Sequence, residues 1–165
     1  MKKKVAIYPG SFDPFTNGHI NIIERGVRVF DKVIVAVAHN ASKRTTFTIE
    51  ERVEIIREVF RNRPEVDVDY FQGLLVEYAK KRGTNIVLRG MRTVSDFEYE
   101  LQMALSNKTL YPEIETIFMV TEGAYSHISS SLIKEIITLG GSAKEMIPEI
   151  VETRLREKLL RKQEV

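Results

Sequence analysis

An alternation limits how this chain can fold more than any other feature. Five short runs rich in β-branched residues, at 4–8, 32–38, 66–71, 85–88 and 115–120, are separated by stretches with apolar residues three and four positions apart. Several of these runs are nearly continuous in apolar residues, the pattern of strands covered on both faces. Between them, Ile20, Ile23, Val27 and Phe30 make one helical stripe, and Val53, Ile56 and Phe60 make another. Leu75, Tyr78 and Ala79, then Phe97, Leu101 and Ala104, continue the series. Thr48 with Glu51, and Ser95 with Glu98, have capping-box spacing and set the expected starts of the second and fourth helices. Such regular alternation predicts the α/β class: a doubly wound, five-stranded parallel sheet flanked by helices. From Ser129 onward the pattern is helical, breaks at Gly140 and Gly141 and restarts near Pro148, so helices close the chain. Nothing resembling a linker or repeat divides residues 1–165, and that length suits a single domain.

Composition removes several function classes. Lys plus Arg number 25 against 23 Asp plus Glu, and a net charge of +2 is too balanced for a chain that coats nucleic acid. Cysteine is absent, which excludes a disulfide scaffold, a thiolate metal site and a cysteine nucleophile, and is compatible with a reducing cytosol. Only four apolar residues separate Lys4 from Pro9, too few for a signal peptide. No stretch approaches the roughly 18 apolar residues of a bilayer span, so no membrane partner is expected. The last fourteen residues, 152–165, read as a solvated helix face.

In a doubly wound sheet, ligands bind beyond the carboxyl ends of the strands, where strand order reverses. The residues following each strand are therefore the informative ones. After the first come Pro9 and Gly10, then Ser11 through Asn17, Gly18 and His19, a turn specified by two prolines and two glycines. A helix starting near Gly18 offers free backbone N–H groups to an anion, and His19 in its first turn adds a ring donor. Neither Gly-x-Gly-x-x-Gly nor Gly-x-x-x-x-Gly-Lys-Ser/Thr is present. After the second strand come Lys43 and Arg44; after the fourth, Arg89, Gly90, Met91 and Arg92. After the fifth, residues 121–128 lead to Ser129, Ser130 and Ser131 at the entry of a helix. Each cation alone reads as a solvated loop charge; together they form a rim suited to a polyphosphate. One serine suffices to cap a helix, and three leave hydroxyls to spare. Glu100 reads as a surface carboxylate, as an ion-pair partner, or as an acceptor from a nucleoside hydroxyl or amino group.

These residues carry a resemblance. Gly10-Ser-Phe-Asp-Pro-Phe-Thr-Asn-Gly-His19 is similar to the His/Thr-x-Gly-His signature of a superfamily of nucleotidyltransferases, and Ile128-Ser-Ser-Ser-Leu-Ile-Lys134 resembles its second signature. Within it, Ser42-Lys-Arg, Phe47-Thr-Ile-Glu-Glu-Arg52, Gly73-Leu-Leu-Val-Glu-Tyr-Ala79 and Leu88-Arg-Gly-Met-Arg-Thr-Val-Ser-Asp-Phe-Glu-Tyr-Glu100 resemble the bacterial phosphopantetheine adenylyltransferases over nearly the whole chain. The resemblance implies a Rossmann-like fold and transfer of the adenylyl group of ATP to 4'-phosphopantetheine in coenzyme A biosynthesis. It implies catalytic roles for His19, Lys43, Ser11 and Arg92. ATP is expected to meet Gly10, Ser11, His19, Gly90, Met91, Arg92, Glu100, Tyr125, Ser126, His127, Ile128, Ser129, Ser130 and Ser131. The acceptor is expected to meet Ser11, Lys43, Leu75 and Arg89. The same resemblance implies magnesium held mainly through the ATP phosphates, with no dedicated protein cage, a cytoplasmic homohexamer, and feedback inhibition by coenzyme A. Lys134 stands where an Arg is common and keeps the charge without the planar fork.

An acceptor that is already a phosphate anion needs no general base, so the expected site works by positioning and charge stabilisation. The rivals are a related nucleotidyltransferase with another phosphate acceptor and a non-catalytic nucleotide sensor.

Overall fold

The structure, a computed structural model, describes residues 3–39 and 44–160. Five strands form one all-parallel sheet: β1 Val5–Gly10, β2 Lys32–His39, β3 Val66–Gln72, β4 Ile86–Met91 and β5 Glu115–Val120. Their spatial order is β3-β2-β1-β4-β5, so the chain winds one way from β1 and then crosses back to build the other half. The expected doubly wound sheet is therefore observed, and the order reverses between β1 and β4. Six α-helices accompany it among the described residues: α1 Asn17–Gly26, α2 Ile49–Val59, α3 Leu75–Arg82, α4 Val94–Leu110, α5 Ser130–Thr138 and α6 Glu149–Leu160.

Strand side chains alternate between two cores, which is why the strands read as continuous apolar runs. Ala6, Tyr8, Val33, Val35, Val37, Val68 and Leu88 face the larger core, with residues of α1, α2, α5 and α6. Ile7, Ile34, Ala36 and Val87 face the smaller one, with Val76, Tyr78 and Ala79 of α3. The register matters for function. β1 pairs with β2 along its whole length, from Val5↔Lys32 to Gly10↔Val37. Its pairing with β4 is confined to Ala6↔Ile86 and Ile7↔Val87. Beyond Ile7 the sheet opens into a crevice at the carboxyl end.

Four sequence expectations change. β4 continues through Met91, so Arg89 and Gly90 lie within the strand and only Arg92 follows it. The cap of α4 is Thr93, whose hydroxyl accepts from the Asp96 amide at 3.2 Å, and not Ser95. The Thr48–Glu51 capping box of α2 is present as expected, with both reciprocal bonds. Phe97 and Leu101 do not mark a buried stripe; Glu100 is the buried residue of α4. Val94, Phe97, Tyr99, Leu101, Met103 and Leu105 are exposed, as are Ile117 and Val120 of the edge strand β5. Finally, Glu152 on the first turn of α6 is buried and accepts from Arg156 at 2.7 Å, so this end of the chain is not a solvated face throughout.

Capping by Thr93 is directly measurable. Thr93→Ala should cost about 1 kcal/mol in urea unfolding, while Ser95→Ala should stay within about 0.5 kcal/mol. Equal losses would assign the cap wrongly.

Candidate active site

The crevice begins with the turn that leaves β1. Gly10 is required there, because a Cβ at this position would sit 2.8 Å from the Phe12 ring. Phe12 itself takes a left-handed conformation, φ 50°, which folds its ring back under the turn. Thr16 then caps α1, and its partner at the third helical position is His19 in place of the usual Glu or Gln. The Thr16 amide donates to His19 Nδ1 at 3.0 Å, and the His19 amide donates to Thr16 Oγ1 at 3.3 Å. A ring nitrogen that accepts from a backbone amide carries no proton, so the imidazole proton resides on Nε2. Phe15 stacks on the ring at 5.5 Å and Phe12 meets it edge-on at 5.0 Å, which fixes its plane. The Asn17 amide is spent on the Met146 carbonyl at 2.8 Å, so the C-terminal segment also braces the start of α1.

The far wall comes from β4 and α5. Arg89 donates to both carboxylate oxygens of Glu100, from Nε at 2.7 Å and from Nη2, and reaches across to the Pro9 carbonyl where the sheet has opened. Burial alone would lower its pKa, but the Glu100 hydrogen bonds and charge outweigh it and raise it. Glu100 is 9% exposed, which selects the ion-pair reading of this residue. Gly90 must also be glycine, since a Cβ there would lie 2.9 Å from Ile22 Cγ1. Arg92 donates to the Ile128 carbonyl at 2.8 Å and to Asp96. The three serines divide their tasks. Ser129 caps α5 through the Leu132 amide, Ser130 donates to the Pro14 carbonyl at 2.9 Å, and Ser131 is exposed on the rim.

These walls enclose a cavity of about 390 Å³, enough for much of a nucleotide. Of the residues expected there, Gly10, Ser11, His19, Arg89, Gly90, Arg92, Glu100, Ile128, Ser129, Ser130 and Ser131 line it. Leu75, Met91, Tyr125, Ser126 and His127 do not. Leu75 lies at the start of α3, packed on the smaller core. Lys43 falls outside the described residues. Tyr8, Asp13, Asp96, Thr121 and Lys134 also line the cavity, as does Arg44. Asp13 was the one most open to discovery from sequence, since it sits inside the first signature. Tyr8 gave no such signal because it reads as a strand residue.

A model of the cytidylyltransferase-like family matches residues 7–136. A phosphopantetheine adenylyltransferase of Caldanaerobacter subterraneus subsp. tengcongensis is 58% identical over 155 residues, 94% of this chain and 97% of its own length. Proteins of that name from Desulforudis audaxviator and Dictyoglomus turgidum are each 53% identical, covering 94% and 93% of this chain and 95% and 96% of their own. This chain belongs to the phosphopantetheine adenylyltransferases, within the cytidylyltransferase-like family. As a member of that nucleotidyltransferase family, it handles its histidine in an informative way. Burial, then the fields of Arg92 and Arg89, pull the His19 pKa down from the ordinary 6.5 to about 3.

A folded value below the unfolded one means that the unfolded chain binds more protons between the two. The His19 contribution to stability is therefore complete above pH 6.5 and is lost as pH falls toward about 3. In an NMR titration the His19 ring should stay neutral, with the Nε2–H tautomer, from pH 8 down to about pH 5. A midpoint near the ordinary histidine value would contradict this geometry.

Proposed function

We propose that this protein transfers the adenylyl group of ATP to 4'-phosphopantetheine, releasing pyrophosphate and forming dephospho-coenzyme A, a reversible step of coenzyme A biosynthesis. The observation that carries the reading is the donor set of the crevice. A neutral His19 with its proton on Nε2, Arg92, Lys134 and the start of α5 converge on one cavity. The carboxylates that line it are already engaged: Asp13 with Lys134, Asp96 with Arg92, Glu100 with Arg89. Such a site stabilises phosphoryl charge and has no group poised to take a proton or to attack.

The chemistry needs neither. An oxygen of the acceptor phosphate attacks the α-phosphorus in line, the bond from that phosphorus to the bridging oxygen breaks, and pyrophosphate leaves with the electron pair. His19 donates from Nε2 to the developing charge on the α-phosphoryl group. Ser11 and Lys43 hold the acceptor phosphate, with Arg89 behind them braced by Glu100. Gly10, Ser11, Gly90, Arg92 and residues 128–131 accommodate ATP from the cavity walls. Met91 and residues 125–127 for ATP, and Leu75 for the pantetheine arm, lie outside the cavity lining and take these roles from the family resemblance. Magnesium would be held mainly through the ATP phosphates and would supply charge neutralisation there, in keeping with cavity carboxylates Asp13, Asp96 and Glu100 that are paired to cations.

The same reading extends to assembly and regulation. The exposed apolar face of α4 and β5 supports association into a homohexamer, since a contiguous surface of this kind ordinarily marks an interface. The described residues form one sheet with its helices, and loops or neighbouring subunits shield the substrates from water. Coenzyme A, which retains the pantetheine arm, acts as feedback inhibitor, and the enzyme works in the cytoplasm. No helix among the described residues is long and apolar enough to cross a membrane.

A coupled pyrophosphate assay with ATP and phosphopantetheine, run in both directions with the product identified by mass, tests the reaction. Absence of turnover both ways would overturn it. His19→Ala should lower kcat by roughly 10²–10³, the usual cost of removing one transition-state donor. His19→Gln should lose about as much rate while keeping an acceptor for the Thr16 amide, and hence keeping stability. Near-wild-type turnover by either variant would remove His19 from the mechanism.

A further inference from the structure

Arg52 is a charged residue that the roles assigned above leave unused. It lies in α2 at 3% exposure and is absent from the cavity lining. Its guanidinium binds three carbonyls from three separate segments. Nη1 donates to Ser11 at 2.6 Å and to Ala38 at 3.5 Å, and Nε donates to Thr48 at 3.2 Å. Among the described residues it makes no ion pair; Asp13 and Glu50 support its charge from farther away. Burying a cation against carbonyls alone is expensive, and an apolar side chain ordinarily serves a core better. The segments joined here explain its presence. Ser11 belongs to the turn leaving β1, Ala38 to the end of β2, and Thr48 to the cap of α2.

Asp13 completes the arrangement from the turn's side. Its carboxylate accepts from the Phe47 amide at 2.9 Å and from the Thr46 amide at 2.8 Å. The turn is thus tied to the β2–α2 connection twice, by Arg52 to Ala38 and Thr48 on its two shoulders and by Asp13 to Thr46 and Phe47 ahead of α2. Strand order puts this connection on one side of β1 and Gly90 and Arg92, at the end of β4, on the other, while α5 meets the turn itself through Ser130 on the Pro14 carbonyl and Lys134 on Asp13. We infer that Arg52 is a positioning residue for the acceptor side of the reaction, holding Ser11 and the β2–α2 shoulders in one register through its forked contacts. The inference rests on the adenylyl-transfer reading, in which Ser11 meets the acceptor phosphate as well as ATP; the β2–α2 side, from which Arg44 and Thr45 line the cavity, tips the effect toward the acceptor. It predicts an asymmetric effect on the two substrates.

Two variants separate the possibilities. Arg52→Lys keeps the charge and loses the fork; Arg52→Gln drops the buried charge and keeps an amide donor. Each is purified, its fold checked by circular dichroism and thermal melting, and its kinetics measured with ATP and phosphopantetheine varied in turn. Both variants should raise the acceptor KM on the order of tenfold, and the ATP KM by a clearly smaller factor. ATP affinity measured by calorimetry should likewise fall less than acceptor affinity. Equal rises in both KM values, or no rise in either, would overturn the inference. So would collapse of both folds, which would make Arg52 a residue of the core alone. If the wild-type protein itself fails to turn over these substrates, it is the functional reading that falls.

Discussion

Everything at the site follows from the parting of β1 from β4. β1 is the middle strand, and the chain builds outward from it first on the β2 side and then on the β4 side. The strands beside it stay together on one flank, to Gly10↔Val37, and part on the other after Ile7↔Val87. A parted parallel pair leaves backbone groups without ladder partners, and buried polar groups must be satisfied by something. Arg89 meets that demand by donating to the Pro9 carbonyl from within β4. Its charge in turn requires Glu100, the buried residue of a helix that is otherwise largely exposed. The opening that admits ligand and the ion pair that lines it are one structural event.

What the chain revealed in advance depended on how local the determinants are. Gly10 and His19 act within a ten-residue turn, so their meaning was readable in order along the chain, although the cap at Thr16 was not, the helix start being expected near Gly18. Helix starts at Thr48 and Ser129 were readable for the same reason. The end of β4 was not, because Arg89-Gly-Met-Arg looks like a loop when its partner strand is unknown; pairing with β5 carries it to Met91↔Val120. Glu100 had three possible roles until that extension placed it opposite Arg89. Arg52 and Asp13 were invisible as a working pair, since the bonds that join the β1 turn to the β2–α2 side run to backbone groups 33, 34 and 41 residues distant. Backbone partners leave no mark in residue type.

α4 shows another limit of periodicity. Phe97 and Leu101 fall on one helical face, and the inference from spacing to an internal core is natural. The spacing specifies an apolar face but not what covers it. Beside the edge strand β5, that face stays exposed among the described residues, where Phe97 meets Phe118 edge-on. The apolar residues were placed correctly on the helix; the internal core that the spacing suggests does not cover them.

Net charge is similarly silent about the site. A balance of +2 averages over cations gathered at one end of the sheet and acids spread along helices. Even the local count of cations overstates what a ligand meets, because Arg89 and Arg92 are each partly committed to Glu100 and Asp96. Their fields nevertheless converge on His19, and this has a chemical consequence. Burial first, and then the fields that favour a polyphosphate, disfavour a second proton on the imidazole. In the proposed adenylyl transfer, the ring, kept neutral and oriented by the Thr16 amide, offers a proton already in place to a transition state that gains negative charge. Positioning of this kind uses no reorganisation at the moment of reaction, which is where preorganised donors outperform water.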